Sequence, residues 1–377
     1  MLVVGAGKVG SEISRDLALS PEVDSVTSAD ANRGNLKQAK RSNSKIRTLV
    51  LDISQKKRVD AALRNVDLVC GALPGRLGFQ LMKRAANVGR NLVDISYTPE
   101  NPFQLDSEAR RNDSIIVPQC GVAPGFSNMC VGDASRTLGR LDSVRIFVGG
   151  LPQKPEPPLN YRVVFSLEDV INEYSRPVNV IENSRRKLVN PLTGRGVMTF
   201  PGVGRLEYFL TDGLGSLPHS FPRTRKMYEL TLRYPGHADM METLRVLGFF
   251  SQTVVGVNGV QVAPRKVSLE LLRPEMSKGR PEDLLALRVN VFGNGSLVTY
   301  EVLDFYDRKN RVSAMARTTA YPCTSVALLV GRGRLHQTGI VTPEKIAKDR
   351  NHFDFIVSRL RQHGIKLKTR RKPLRSR

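Results

Sequence analysis

Three glycines near the start of the chain have the spacing of a phosphate-binding turn. Gly5, Gly7 and Gly10 follow a short apolar run and precede a stretch with helical spacing. In such a turn the glycines permit a tight bend, close approach of a pyrophosphate and close packing of the helix on its sheet. The helix N-terminus adds N–H groups and a positive dipole end. The pattern predicts a dinucleotide site.

An acidic residue lies where a ribose would bind. Asp30 ends the second apolar stretch, twenty residues after Gly10, and a carboxylate there accepts hydrogen bonds from the ribose hydroxyls. The same carboxylate would repel a 2′-phosphate, so we expect NAD rather than NADP. Arg33 complicates this expectation because its charge can neutralise such a phosphate.

The first 125 residues alternate between apolar strands and helical stretches. This alternation predicts a Rossmann-type parallel sheet with helices on both faces. Strands are expected at 2–5, 23–28, 46–51, 66–72, 91–95 and 114–118, and helices at 11–19, 33–41, 55–64, 78–88 and 104–111. Loops after the strands should line the cofactor crevice. The residues expected to bind the cofactor are Gly5, Gly7, Lys8, Val9, Gly10, Asp30, Asp52, Ala72, Leu73, Pro74, Val122 and Ala123.

The second part of the chain has longer β-type runs. Strands are expected at 143–149, 204–210, 226–234, 253–262 and 285–305, and helices at 166–174 and 238–248. Asn-Gly pairs at 258–259 and 294–295 predict hairpins. We therefore predict an α/β chain with a dinucleotide-binding domain at 1–125 and an α+β substrate domain at 126–314, its sheet largely antiparallel. Residues 315–345 should pack back on the first domain, and 366–377 should form a disordered basic tail.

Three further segments could contribute to a substrate site. The loop 120–128 is shaped by glycines and a proline, and the proline-rich stretch 149–161 suits a rigid pocket wall. The segment 231–237 places Arg233 near the end of a strand, where a guanidinium can bind a carboxylate with two parallel hydrogen bonds.

Composition is ordinary apart from charge. Hydrophobic residues make up 40% and charged residues 25% of the chain, and the net charge is +23. We expect a cytoplasmic protein without a membrane span, and the scattered cysteines and histidines predict no metal site. The basic residues are interpreted as a solvated surface with a mobile tail, so a nucleic-acid partner is not expected.

Five sequence blocks carry a family resemblance. They are GVAPGFSN (121–128), GGLPQKPEPPLNY (149–161), VFSLEDVINEY (164–174), TLRYPGH (231–237) and AMARTTAY (314–321). In this order they resemble the saccharopine dehydrogenase-like family of amino-acid dehydrogenases and reductases, and most of all its lysine 6-dehydrogenase branch. The resemblance implies a nicotinamide cofactor at the glycine motif and a homodimer or homotetramer. It also implies a substrate site with Arg233 on the carboxylate, joined by Tyr161 and Glu156.

The resemblance implies NAD-dependent oxidation of the lysine side-chain amine to a semialdehyde, which cyclises as ammonia leaves. The candidate proton acceptors are His237 and Asp94, with Tyr97 assisting; a structural role for His237 is an open alternative. Saccharopine or carboxynorspermidine dehydrogenase-like activity is a second reading, weakened by Ala123 and His237, which replace the residues usual in saccharopine reductases. The third reading is a non-catalytic NAD-binding protein with a nucleic-acid-binding surface.

Overall fold

The computed structural model describes residues 1–163 and 166–374, and within it the chain forms two compact units. The first unit comprises Met1–Thr137, Gly215–Ser220 and Ala316–Lys366, and the second Leu138–Leu214, Phe221–Met315 and Leu367–Arg377. Each unit thus draws on three stretches of chain. Val164 and Phe165, which begin one family block, and the last three residues of the predicted tail lie outside the described residues.

The first unit contains a seven-stranded sheet in which every strand pair is parallel. Its strands are β1 (Leu2–Val4), β2 (Val26–Asp30), β3 (Ile46–Val50), β4 (Leu68–Gly71), β5 (Asn91–Asp94), β6 (Ile115–Val117) and β17 (Gly339–Ile340). The strand order is β17-β6-β5-β4-β1-β2-β3. Because β1 lies between β2 and β4, the connection reverses direction beside β1, where ligands of such sheets bind.

Helices of the first unit follow the predicted alternation. They are α1 (Lys8–Leu19), α2 (Arg33–Ser42), α3 (Lys56–Arg64), α4 (Gly75–Asn87), α5 (Asp106–Arg111), α6 (Phe126–Leu138), α8 (Leu217–Ser220), α11 (Ala314–Gly331), α12 (Pro343–Ile346) and α13 (Arg350–Gln362), with a 3-10 turn at Pro102–Leu105. Apolar residues of the strands and of α3 and α4 form one buried cluster, which includes Leu2, Val69 and Leu81. Burial of this apolar surface stabilises the sheet. The parallel sheet is confirmed.

The second unit is built on a nine-stranded sheet. Its strands are β7 (Ser143–Pro152), β8 (Val178–Glu182), β9 (Arg185–Val189), β10 (Gly196–Phe200), β11 (Gly204–Thr211), β12 (Lys226–Arg233), β15 (Asp283–Gly293), β16 (Ser296–Phe305) and β18 (Leu367–Pro373). The order is β10-β11-β12-β7-β15-β16-β18, and β8 pairs with β12 and β9. All pairs are antiparallel except β7 with β12. The largely antiparallel sheet is confirmed.

The remaining elements of this unit are α7 (Leu167–Ser175), α9 (His237–Val246), α10 (Pro264–Glu275) and the small hairpin β13 (Val255–Val257) and β14 (Val260–Val262). Both predicted Asn-Gly hairpins are present. Asn258 and Gly259 have φ of 49° and 82°, and Asn294 and Gly295 have 45° and 63°. Two successive positive φ angles define the tight turn that favours this residue pair.

Within the described residues, the prediction of a disordered basic tail is wrong. Leu367–Pro373 forms β18, which pairs with β16 from Val302 to Ser296. An unpaired sheet edge offers N–H and C=O groups that a strand can satisfy, whatever its side-chain charge. This strand was not predicted because Leu367 is followed mainly by lysines and arginines. The segment therefore lacks the alternation of apolar and polar residues that indicates a strand.

Candidate functional site

The glycine loop has the geometry that a dinucleotide requires. Gly5 has φ +101°, and a Cβ on it would lie 2.3 Å from the carbonyl oxygen of Ala72. A Cβ on Gly10 would lie 1.8 Å from the oxygen of Gly5, whereas one on Gly7 would meet nothing within 4 Å. Gly5 and Gly10 are therefore fixed by packing, and Gly7 leaves open space at the start of α1. The loop fits a pyrophosphate there.

Asp30 is held at the rim of this loop. Its Oδ2 accepts a hydrogen bond from Ala6 N at 2.7 Å, and its Oδ1 accepts one from Asn32 N at 2.7 Å. Arg33 is exposed and begins α2. The side chain is thus oriented by backbone groups at the end of β2, where the ribose is expected.

The other predicted cofactor residues follow the ends of neighbouring strands. Ala72 and Leu73 after β4 are half-buried, and Ala72 N donates to Val4 O at 2.8 Å. Lys8, Asp52 and Pro74 are exposed, Val9 and Ala123 half-buried, and Val122 buried. The Ser54 backbone N–H holds the pKa of Asp52 below its ordinary value. Parallel strands bring these ends to one edge of the sheet.

The two candidates after β5 differ in exposure. Asp94 is fully buried, with Oδ1 accepting from Ser96 N at 2.6 Å, and burial raises its pKa to about 7. Its Oδ2 lies so close to Gly71 that a Cβ there would be 1.8 Å away. Tyr97 is half-buried. The role of Asp94 as a proton acceptor stays a prediction, and the burial of its carboxyl beside Gly71 argues against direct contact with a substrate.

Arg233 is the last residue of β12, and its guanidinium is buried in the second unit. Its side chain is 2% exposed, and Nη2 donates to Glu173 Oε2 at 2.6 Å. Nε donates to Tyr174 Oη at 3.3 Å and Nη1 to the Leu232 carbonyl at 2.9 Å. The guanidinium carbon lies 4.3 Å from the centre of the Tyr161 ring. The arginine is a buried carboxylate binder whose partner here belongs to α7.

His237 supports this arginine through Tyr174. The carbonyl of Leu159 can only accept, so His237 Nδ1 donates to it at 2.8 Å. Nε2 then accepts from Tyr174 Oη at 2.9 Å. Burial, followed by the charge of Arg233, lowers the pKa of His237 to about 3. The assignment of His237 as general base stays a prediction; in this structure its accepting nitrogen is occupied, and the residue holds Tyr174 and the proline-rich loop in place.

Glu229, on the same strand as Arg233, is a second buried acid of this unit. Burial, then the charges of Glu173 and Asp212, raise the pKa of Glu229 to about 8, and its side chain is 5% exposed. Burial also raises the pKa of Glu173, although Arg233 opposes this. Sequence reasoning missed Glu173, Tyr174 and Glu229; the family block that contains the first two was the available signal.

A cavity of about 210 Å³ opens beside the proline-rich loop. It is lined by Pro152, Gln153, Lys154, Glu156, Pro157, Pro158, Leu159, Tyr161, Arg162, Glu275, Lys278, Gly279, Arg280, Glu282 and Arg308. Five of these residues are cationic and three anionic. Two predicted substrate residues, Glu156 and Tyr161, share this wall, and the Tyr161 ring also contacts Arg233. The cavity is therefore a candidate substrate pocket.

The first unit has a parallel sheet with a glycine loop, and the second has a buried arginine that binds a carboxylate. Together these features define the fold of a pyridine-nucleotide-binding oxidoreductase. The chain belongs to the saccharopine dehydrogenase family. The model of its NADP binding domain matches residues 1–117, and that of its C-terminal domain matches residues 121–365.

Individual relatives are distant. The chain is 25% identical over 227 residues to alpha-aminoadipic semialdehyde synthase of Arabidopsis thaliana, covering 55% of this chain and 21% of that protein. It is 22% identical over 298 residues to saccharopine dehydrogenase [NADP(+), L-glutamate-forming] of Saccharomyces cerevisiae, covering 76% and 66%. The apo structure of saccharopine dehydrogenase (L-Glu forming) from Saccharomyces cerevisiae superposes with a TM-score of 0.78 at 17% identity, covering 98% and 99%. This likeness supports the fold.

Among the residues that the structure describes, every helix is too short or too polar to cross a membrane.

Proposed function

We propose that this protein is an NAD-dependent dehydrogenase that oxidises the side-chain amine of lysine. Bound at the glycine loop, the nicotinamide cofactor would supply the hydride acceptor. Hydride loss would leave an imine, water would add to it and release ammonia, and the resulting semialdehyde would cyclise. Family membership supports an oxidoreductase, and the lysine 6-dehydrogenase resemblance of the sequence blocks supports this substrate.

The balance of charges around Arg233 carries the choice of lysine. One buried guanidinium is paired with the carboxylate of Glu173. Lysine has one carboxylate and two amines, so it matches a site with one carboxylate binder and an acidic neighbour. Saccharopine has three carboxylates and would bring two more anions towards Glu173.

Each residue then has a defined task. The substrate carboxylate replaces Glu173 at Arg233, and the freed Glu173 is available to an ammonium group. His237 and Tyr174 keep the guanidinium aimed, which is positioning rather than proton transfer. Of the three candidate proton acceptors, Tyr97 is half-buried whereas Asp94 and His237 are buried, so we propose that Tyr97 assists removal of the substrate proton.

The cofactor preference rests on Asp30. Its carboxylate is fixed by Ala6 and Asn32 at the end of β2, where it would accept from the ribose hydroxyls and repel a 2′-phosphate. We therefore propose NAD as the cofactor.

The test is a product assay with purified protein, lysine and NAD. We expect NADH, free ammonia and a cyclic imine detected with an aminobenzaldehyde reagent, in equal amounts. Ornithine, one methylene shorter, is the matched control, because it keeps the carboxylate and both amines and changes only the distance between the carboxylate and the reacting carbon. Absence of all three products with lysine would refute the proposal.

A second candidate, saccharopine dehydrogenase activity, is favoured by the cavity beside Tyr161. Its cationic excess, which includes Lys154 and Arg280, suits additional carboxylates. Turnover of saccharopine with none of lysine would establish this reading, and an Arg280→Gln variant should then raise KM for saccharopine.

A further inference from the structure

One face of the second unit's sheet carries an ordered grid of side chains contributed by five strands. Residues opposite one another in paired strands point to the same face. The middle row therefore runs Tyr228, Arg145, Asn290, Thr299 and Arg370 across β12, β7, β15, β16 and β18. One flanking row is Lys226, Ser143, Phe292, Leu297 and Lys372. The other is Leu230, Phe147, Arg288, Glu301 and Lys368. We call these fifteen residues the basic face.

The basic face carries six cationic side chains and one acidic one. The acid, Glu301, is 9% exposed and already bound by Arg288 at 2.6 Å, with Arg370 at 3.8 Å. On the adjoining β8, Glu182 pairs with Lys187 at 2.9 Å and approaches Tyr228. The face therefore keeps a strong positive charge after its own ion pairs are formed.

Cations and rings alternate on this face. Arg145, Lys226, Lys368, Arg370 and Lys372 are exposed, and the rings of Phe292 and Tyr228 are half-buried. The guanidinium of Arg145 lies 5.8 Å from the centre of the Phe292 ring. On one strand, alternate residues are about 6.6 Å apart, so Lys368, Arg370 and Lys372 form an evenly spaced cationic edge.

We propose that the basic face binds single-stranded nucleic acid. Lysines and arginines in a row contact successive phosphates, and exposed parts of aromatic rings stack bases without demanding a sequence. The cations of the predicted tail lie on the ordered strand β18, and Lys368, Arg370 and Lys372 are on the same face of the sheet as Phe292 and Tyr228. This surface is independent of the dehydrogenase site.

The test measures binding of a fluorescein-labelled 20-nucleotide oligothymidine and of oligouridine by fluorescence anisotropy across a salt series. We expect binding that weakens steeply with salt. The variant Lys368→Gln/Arg370→Gln/Lys372→Gln should weaken it at least tenfold and reduce the slope of log K against log salt by about 2, since each phosphate contact contributes about 0.7 for single strands.

The matched control removes the same charge from another exposed surface. Lys56→Gln/Lys57→Gln/Arg64→Gln on α3 should leave affinity within about twofold. A second variant, Arg145→Gln/Lys226→Gln, tests the face without touching the edge strand. No oligonucleotide binding, equal loss in the β18 and control variants, or binding to phosphatidylserine vesicles alone would overturn the proposal.

Discussion

Replacing Arg233 by alanine should reduce kcat/KM for the amino-acid substrate by about thirty- to thousandfold. A charge-assisted pair with a substrate carboxylate in a buried site contributes about 2–4 kcal/mol, and about 1.4 kcal/mol corresponds to tenfold in rate. The guanidinium has three polar contacts and a ring contact, so its position is fixed before substrate binds. Initial rates with varied substrate, and cofactor titration by fluorescence, check the prediction; the affinity for NAD should stay within about twofold.

The same substitution also affects the fold, because it leaves Glu173 without its cation. A control must lose a comparable pair elsewhere. Arg288 provides it: Nε donates to Glu301 Oε1 at 2.6 Å, and its guanidinium carbon lies 5.1 Å from the centre of the Phe200 ring. Arg288→Ala should lower the free energy of unfolding to a similar extent and leave kcat/KM nearly unchanged.

Two results would refute the assignment of Arg233. If Arg233→Ala and Arg288→Ala reduce kcat/KM equally, the arginine matters only to stability. If NAD affinity is lost in Arg233→Ala alone, the residue serves the nucleotide site.

Four further outcomes are expected. Asp30→Ala should reduce the preference for NAD over NADP about tenfold or more, since a hydrogen bond to a charged group is worth about 1.5–3 kcal/mol; equal kcat/KM with both cofactors in the unmutated protein would contradict this. Glu173→Gln should raise substrate KM roughly threefold by removing the carboxylate proposed to pair with the substrate ammonium, whereas a lower KM would show that Glu173 only competes with the substrate for Arg233. A chain ending at Ile365 lacks β18 and should melt at least about 4 °C lower by differential scanning fluorimetry, and an unchanged Tm would show that the strand adds no stability. The pKa of Glu229 is raised to about 8 in the folded protein, so the native state keeps a proton that the unfolded chain loses above about pH 4.5. The free energy of unfolding therefore falls as pH rises between those two values and levels off above them. Urea unfolding of Glu229→Gln should show this slope flattened by up to about 1.4 kcal/mol per pH unit, and a slope equal to that of the unmutated protein would contradict it.

The dinucleotide loop was predictable because its physics is local. Gly5 and Gly10 act within ten residues of sequence, and Asp30 ends the next strand. The same holds for the Asn-Gly hairpins, whose two positive φ angles need only the residues in the turn. The alternation of strands and helices along the first 125 residues was then sufficient to predict the parallel sheet.

Partners distant in sequence were beyond such reasoning. Glu173 contacts Arg233 across 60 residues of sequence, and Leu159 contacts His237 across 78. The hydrogen bonds that hold His237 in place therefore could not be inferred from its neighbours in sequence. β18 pairs with a strand about seventy residues earlier, and its charges suggested disorder because pairing uses backbone groups that charge patterning does not report.

The path of the chain through the two units has a consequence for synthesis on the ribosome. Residues 316–366, which belong to the first unit, are made before β18, which belongs to the second. Until β18 emerges, β16 presents an open edge while most of its sheet is already complete. An open edge invites pairing with other nascent chains, so slower translation of the stretch between β16 and β18 should increase aggregation of the nascent chains of this protein.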